Sequence, residues 1–302
     1  MTDLNRYFTY GLHIASSLPL PELLADVDGG TSPDVTIIEE SVPEDGLANG
    51  EQISPFLWVD EGAFWFCVPD VARFLVRDGA RISIDRLSGA DDASVRVFLL
   101  GSGLGALLFQ REMLILHGNA IEVDGKCLVC VGHSGAGKST LAAAFRERGY
   151  RILADDVVPV DGTCSAVPGF PRIKLWQDAA KRLGIATDGL NRIRPEVEKF
   201  NLPVRDTFSD KPLPIRWVYA LRSHNMPELE IDPVRGMDRF RILRANTYRL
   251  RFMEGMKLKP IHLQRCGELA GRIHVARIIR PNKGFDLDGL ADLIIRDIAE
   301  NP

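Results

Sequence analysis

One stretch constrains this chain more than any other. Residues 126–148 read KCLVCVGHSGAGKSTLAAAFRER, and within them Gly132, Gly137, Lys138 and Ser139 fill the pattern G-x-x-x-x-G-K-[ST]. An apolar run, Cys127 to Val131, leads in, and a helix-forming run follows. That strand, loop and helix setting separates a phosphate loop from a chance match. The glycines let the backbone bend so that the N–H groups from Gly132 through His133, Ser134, Gly135, Ala136, Gly137, Lys138, Ser139 and Thr140 surround a polyphosphate. The N-terminus of the following helix adds partial positive charge. The pattern sends Lys138 to the outer phosphates and the Ser139 hydroxyl to Mg²⁺.

The lead-in carries a second message. Asn119–Val123, Asp124-Gly125 and Lys126–Val131 read as a β-hairpin, because Asp-Gly suits a two-residue type I′ turn. An antiparallel partner immediately before the loop strand is unusual among phosphate-loop proteins, which feed that strand from a helical crossover. If Val123 faces Lys126, paired positions share a constant sum and His117 lands beside Gly132, at the rim of the phosphate site. A bulge would break that register. Downstream, Tyr150–Ala154 is a short apolar run ending in Asp155-Asp156, with Val157–Val160 beyond. Phosphoryl transfer wants a metal ligand and a catalytic base at the end of such a strand. Adjacent strand residues point to opposite faces, so the pattern alone turns one carboxylate toward the outer phosphate.

In HG at 117–118, GHSGAGKS at 132–139 and LADDVV at 153–158 the chain resembles the catalytic domain of HPr kinase/phosphorylase. The nucleotide-binding core of that family is related to phosphoenolpyruvate carboxykinase. The resemblance is strong over this region and weaker elsewhere. It implies an α+β or mixed α/β fold with a phosphoenolpyruvate carboxykinase-like P-loop catalytic domain, and ATP and Mg²⁺ as cofactors. It places His117 in the active site and Lys138 and Ser139 on phosphates and metal. It makes the Asp155-Asp156 pair the source of the base for a serine hydroxyl, Asp156 as that base and Asp155 at the metal or at His117. The family's later segment of the type E-x-R-G-x-G, tied to its phosphorylase reaction, has no counterpart here; the corresponding stretch reads VPGFPRIKLW. The chain therefore looks like a diverged serine kinase acting on a peptide or small protein, with little or no phosphorylase activity.

At 302 residues the chain can bury a substantial core, and two domains are expected. Its net charge of −4 gives no reason to expect nucleic acid as a partner. No uninterrupted apolar run is long enough to span a bilayer, and the first residues, MTDLNRYFTY, lack an apolar signal core. The expectation is a cytoplasmic protein without a membrane partner; self-association stays open. Five cysteines without a framework spacing argue for reduced thiols, and the Cys127–Cys130 pair, three apart on a strand, reads as buried and inert.

Residues 1–94 read as a small β-rich domain and 95–302 as the catalytic domain, with Gly89–Ser94 as the break. Strands are expected at Tyr7–Ile14, Asp34–Ile38, Phe56–Val59, Ala63–Val68, Ala72–Arg77 and Ala80–Asp85, with Phe64, Trp65 and Phe66 as packing. Val95–Glu112 reads as a buried helix whose GSGLG glycines serve close packing. Arg172 and Lys174 read either as solvated strand charges or as groups near phosphate. Gly184–Asp210 looks polar and irregular, basic through Arg192, Arg194, Lys199 and Arg205. Strands at Pro214–Leu221 and Glu228–Val234 flank a turn at His224–Pro227, a basic helical region starts at Gly236, and helix Leu258–Ala270, strand Arg272–Ile279 and helix Leu287–Ala299 follow. Besides the kinase, the residues leave open a small-molecule kinase, a carboxykinase-like enzyme and a nucleotide-gated binding module.

Overall fold

The computed structural model describes residues 4–28, 30–194, 196–225, 228–281 and 286–302. Part of the expected His224–Pro227 turn lies outside them. The chain is mixed α/β, with several sheets, and its contacts divide it into two units. The first holds Met1–Ile115, Ile193–Val197 and Arg249–His262; the second holds Leu116–Arg192, Glu198–Tyr248 and Leu263–Pro302.

The first unit contains a nine-stranded sheet formed between Asn5 and Arg86. Ala63–Val68 and Ala72–Arg77 fall where the alternation places them, and Phe64, Trp65 and Phe66 are buried. The single strand expected at Tyr7–Ile14 is instead a hairpin, Asn5–Thr9 against Leu12–Ser16. Tyr10 and Gly11, both at positive φ, make its turn, and a tyrosine there gives no turn signal in sequence. The following helix runs from Asp92 to Gln110, three residues earlier at its start than expected. Asp91 caps it, accepting from the Ser94 N–H at 2.9 Å. Its middle turn, Leu99–Gly103, is π-helical and wholly buried, and a Cβ on Gly103 would sit 3.8 Å from Ile82 Cδ1. Among the described residues this is the one helix long and apolar enough to cross a membrane, and most of it is buried. Because it is grouped with the first sheet, contacts divide the chain after Ile115 and not at Gly89–Ser94.

In the second unit the loop strand, Lys126–Gly132, lies between Gly118–Val123, antiparallel, and Leu213–His224, parallel. Gly118–Val123 also pairs antiparallel with Arg151–Asp155, and Leu213–His224 pairs parallel with His274–Pro281. The hairpin register runs unbroken from Val123↔Lys126 to Gly118↔Val131, with no bulge, and His117 immediately precedes the first paired residue. Leu141, Ala142 and Phe145 of the loop helix, Lys138–Glu147, are buried in the same apolar cluster as Leu128, Cys130, Ile152, Leu290 and Ile294. Burial of this stripe at roughly 25 cal/mol per Å² fixes the helix, and with it the loop, on the sheet. Gly184–Asp210 is less irregular than expected: Val197–Pro203 is a strand, and its Lys199–Pro203 half pairs with Arg172–Trp176. Buried Phe200 and Leu202 alternate there with polar residues, a short period-2 signal lost among basic neighbours.

Candidate active site

The loop opens at Gly132, whose φ of 148° and position 2.7 Å (for a notional Cβ) from the Leu221 carbonyl leave no room for a side chain. Gly135 and Gly137 also take positive φ, and Gly137 caps the loop helix in the left-handed conformation. His133, Ser134 and Gly135 are exposed, and the Ala136 N–H closes the loop on the His133 carbonyl at 3.1 Å. The Lys138 ammonium donates to the Gly132 carbonyl at 2.7 Å and to the His133 carbonyl at 3.1 Å. Arg280, from the end of the strand His274–Pro281, donates twice to the Ala136 carbonyl, at 3.0 and 3.2 Å.

Asp155 is the hub of the site. It is buried, and its Oδ1 accepts from the Ser139 hydroxyl at 3.1 Å and from the Asn119 amide at 2.5 Å. Its Oδ2 accepts from the Lys174 backbone N–H at 2.7 Å. Burial, followed by the neighbouring Asp156 charge, pushes its carboxyl above the ordinary value. Asp156 behaves oppositely. Burial acts to raise it, but the Lys174 ammonium, 2.7 Å from its Oδ2, and then His117 hold it well below the ordinary value. His117 Nδ1 lies 3.0 Å from the Asp156 carbonyl oxygen and 3.4 Å from Oδ1. Burial first and Lys138 second keep the imidazole pKa below its usual value, so the ring is neutral at pH 7. The carbonyl can only accept, which assigns the proton to Nδ1 and leaves Nε2 as an acceptor.

Alternation along a strand would send the two carboxylates to opposite faces. They do not diverge, because the strand ends at Asp155 and Asp156 turns into the left-handed region at φ 77°. Both carboxylates line one cavity of about 230 Å³ together with His117, Ser134, Gly135, Gly137, Lys138, Ser139 and Thr140. Gly132 and His133 line a neighbouring cavity instead, and Ala136 reaches neither except through its carbonyl bond to Arg280. Lys174 is no solvated strand charge: it is buried on the two aspartates. Arg172 is buried too, donating to Asn201 at 3.1 Å, and does not line the cavity.

Trp176, Arg182, Lys199 and Arg280 are among the other residues of the cavity's walls, and Asn119, outside the lining, holds Asp155. Sequence reasoning named Lys199 only as part of a basic stretch and missed the other four. Only Asn119 carried a signal, since it stands two residues from His117 on a strand whose far neighbour ends in Asp155. The donor set suits a hard cation. Ser139 Oγ and Asp155 Oδ1 are adjacent oxygens, and the buried Asn119 Oδ1 beside them has no protein partner. Among the described residues no cluster of three His, Cys, Asp or Glu side chains could cage an ion by itself. Mg²⁺ is held that way: few carboxylates, with the rest of the shell from water and phosphate. The thiols take no part; Cys127 and Cys130 are buried, and burial raises the Cys130 thiol to about 12.

No protein-family model matches the chain. Over 101 residues, 30% of this chain and 32% of the relative, it is 32% identical to the HPr kinase/phosphorylase of Lactobacillus gasseri. Over 138 residues, 43% of this chain and 40% of the relative, it is 26% identical to the HPr kinase/phosphorylase of Enterococcus faecalis. A solved HPr(Ser) kinase/phosphatase from Coxiella burnetii aligns with 62% of this chain and 90% of its own at 15% identity, with a TM-score of 0.29, a likeness too slight to weigh. The chain spans about a third of the length of the curated relatives it matches. In sequence, then, this chain is similar to the HPr kinase/phosphorylases over part of their length.

Proposed function

We propose that this chain is an ATP-dependent kinase, with a phosphoenolpyruvate carboxykinase-like P-loop core and Mg²⁺ as its metal, that phosphorylates a serine of a peptide or small protein in the cytoplasm. The observation that carries the reading is the meeting of Lys138 and Ser139 with His117, Asp155 and Asp156 around one cavity. Partial similarity to proteins named HPr kinase/phosphorylase supports it.

In this reading the loop N–H groups hold the outer phosphates, and Lys138 exchanges its bonds to the Gly132 and His133 carbonyls for phosphate oxygens. Ser139 and Asp155 would hold the metal, which would supply neutralisation of phosphate charge. Asp156 takes the proton of the acceptor hydroxyl. Its depressed pKa makes it a weak base, but the loose transition state of phosphoryl transfer asks more for position than for base strength. Position is what Lys174 and His117 give it, one gripping the carboxylate and the other the carbonyl of the same residue. The stretch VPGFPRIKLW, which brings Lys174, offers no acidic metal ligand, so the reaction runs forward with little or no phosphorylase activity.

The test is a screen of γ-labelled ATP against serine-bearing peptides and small metabolites. Label on peptide serine is the expected result. Label on a metabolite alone, or ATP binding without turnover, would replace this reading with a small-molecule kinase or a nucleotide-gated binding module.

A further inference from the structure

Beside the phosphate site lies a second cavity, of about 270 Å³. It sits at the carboxyl ends of the loop strand Lys126–Gly132 and of Leu213–His224, which contribute Gly132, His133, Leu221 and Arg222. Ligands of open α/β sheets bind in such a place. Its outer wall is the helix Met237–Ala245, the basic segment of the sequence that the phosphate site leaves unused.

Two links join this cavity to the phosphate site. Gly132 and His133 belong to the loop itself. Asn246, on its wall, accepts at its carbonyl from the His117 N–H at 2.8 Å. The two cavities thus share the phosphate loop and the hydrogen bond that anchors His117. The lining charge is basic: Arg222, Arg241 and Arg277 against Asp238, with Asp232 also 3.0 Å from Arg277. Asp238 is shared, 2.8 Å from Arg241 and 3.7 Å from Arg277. These pairs are partly exposed and solvent-screened, so an incoming carboxylate displaces Asp238 at little cost. Guanidiniums take carboxylates in bidentate fashion.

We propose that this cavity docks acidic residues flanking the acceptor serine, with Arg222 and Arg241 as their main contacts. The proposal rests on the peptide-kinase reading above, and binding measured apart from turnover keeps the two separable. Two fluorescein-labelled peptides, each with one serine flanked by glutamates or by lysines, are titrated by anisotropy into the full chain and into Arg222→Glu/Arg241→Glu. Mg-ATP affinity is measured calorimetrically on both proteins. The glutamate peptide should bind the wild type more tightly than the lysine peptide. The double variant should weaken it at least tenfold while leaving Mg-ATP affinity unchanged. The milder Arg222→Gln/Arg241→Gln, checked by circular dichroism, should lose most of the same preference. Equal binding of both peptides, no binding of the glutamate peptide at low salt, or an unaffected double variant would overturn the proposal. Displacement of the peptide by excess Mg-ATP would overturn it too, by making the cavity part of the nucleotide site. A wild type that fails to bind Mg-ATP at all would instead sink the kinase reading.

Discussion

Asp155 and Asp156 are chain neighbours with opposite electrostatics, and the difference sorts their roles. Asp155, raised by burial and bonded to Ser139, stands where a metal can take over its interactions. Asp156, held below the ordinary carboxylate value by Lys174, stays a carboxylate at neutral pH. Asp156→Asn should keep the fold and Mg-ATP binding while slowing phosphoryl transfer by about 10²-fold, the usual scale for lost acid–base catalysis. Quenched-flow transfer rates beside calorimetric affinities check this. Lys174→Met leaves the Asp156 carboxylate without its cation, and unfolding in urea should show a loss of roughly 3 kcal/mol, as for other broken buried pairs. The sign follows from the depressed pKa of Asp156. Its stabilisation is complete above the unfolded carboxylate value of about 3.9 and is lost as pH falls through the lower folded value. Wild type and variant should therefore differ fully at pH 7 and converge only in strong acid. His117 gives a second pH signature. A protonated ring would draw on the Asp156 carboxylate, 3.4 Å from Nδ1, and weaken it as a base, so activity should fall on the acid side with a midpoint below the ordinary histidine value of about 6.5. An acid limb above that value would contradict the burial argument.

At the scale of elements, the hairpin and the loop were legible because each rests on local chemistry. Asp124 and Gly125 both take positive φ, and that two-residue turn sets every pairing back to Gly118. The HG pair has a steric reason as well: a Cβ at Gly118 would run into the Cys130 carbonyl, so the residue after His117 must be glycine for the strands to close. The turn of Asp156 was not legible, since nothing in the string ADDVV says that the second aspartate leaves the strand. Nor was the pairing of Arg172–Trp176 with Lys199–Pro203, whose partners are separated by a helix and a polar loop. That non-local pairing delivers Lys174 and Lys199 to the site, which is why sequence spacing alone undervalued both. Gly137→Ala tests the loop as an element. At φ 96° an alanine is strained by about 1–3 kcal/mol, so the loop should distort and Mg-ATP affinity should fall in calorimetry, with the core of the unit intact in its circular dichroism.

For the whole molecule, the two units differ in how well sequence foretold them. The first sheet was visible as evenly spaced short strands, while the helix Asp92–Gln110, expected with the catalytic domain, groups by contact with the first sheet. Apolar on nearly every face, it had no amphipathic stripe to say which core it joins. The returns Ile193–Val197 and Arg249–His262 to the first unit carry no signal at all, because grouping by contact depends on the finished fold. Direction of reaction is a property of the complete site. Given phosphorylated acceptor, Mg²⁺ and phosphate, the chain should release little or no pyrophosphate on the timescale of the forward reaction. Rapid release would mean that other residues perform the chemistry the missing E-x-R-G-x-G segment serves. The central claim, that one cavity transfers phosphate from ATP to serine, is tested most directly by single-turnover transfer of label from γ-labelled Mg-ATP to an acceptor peptide. Wild type should place the label on serine, and Lys138→Ala should lose both that transfer and most of its Mg-ATP affinity. Normal transfer and unchanged Mg-ATP affinity in Lys138→Ala would contradict the account.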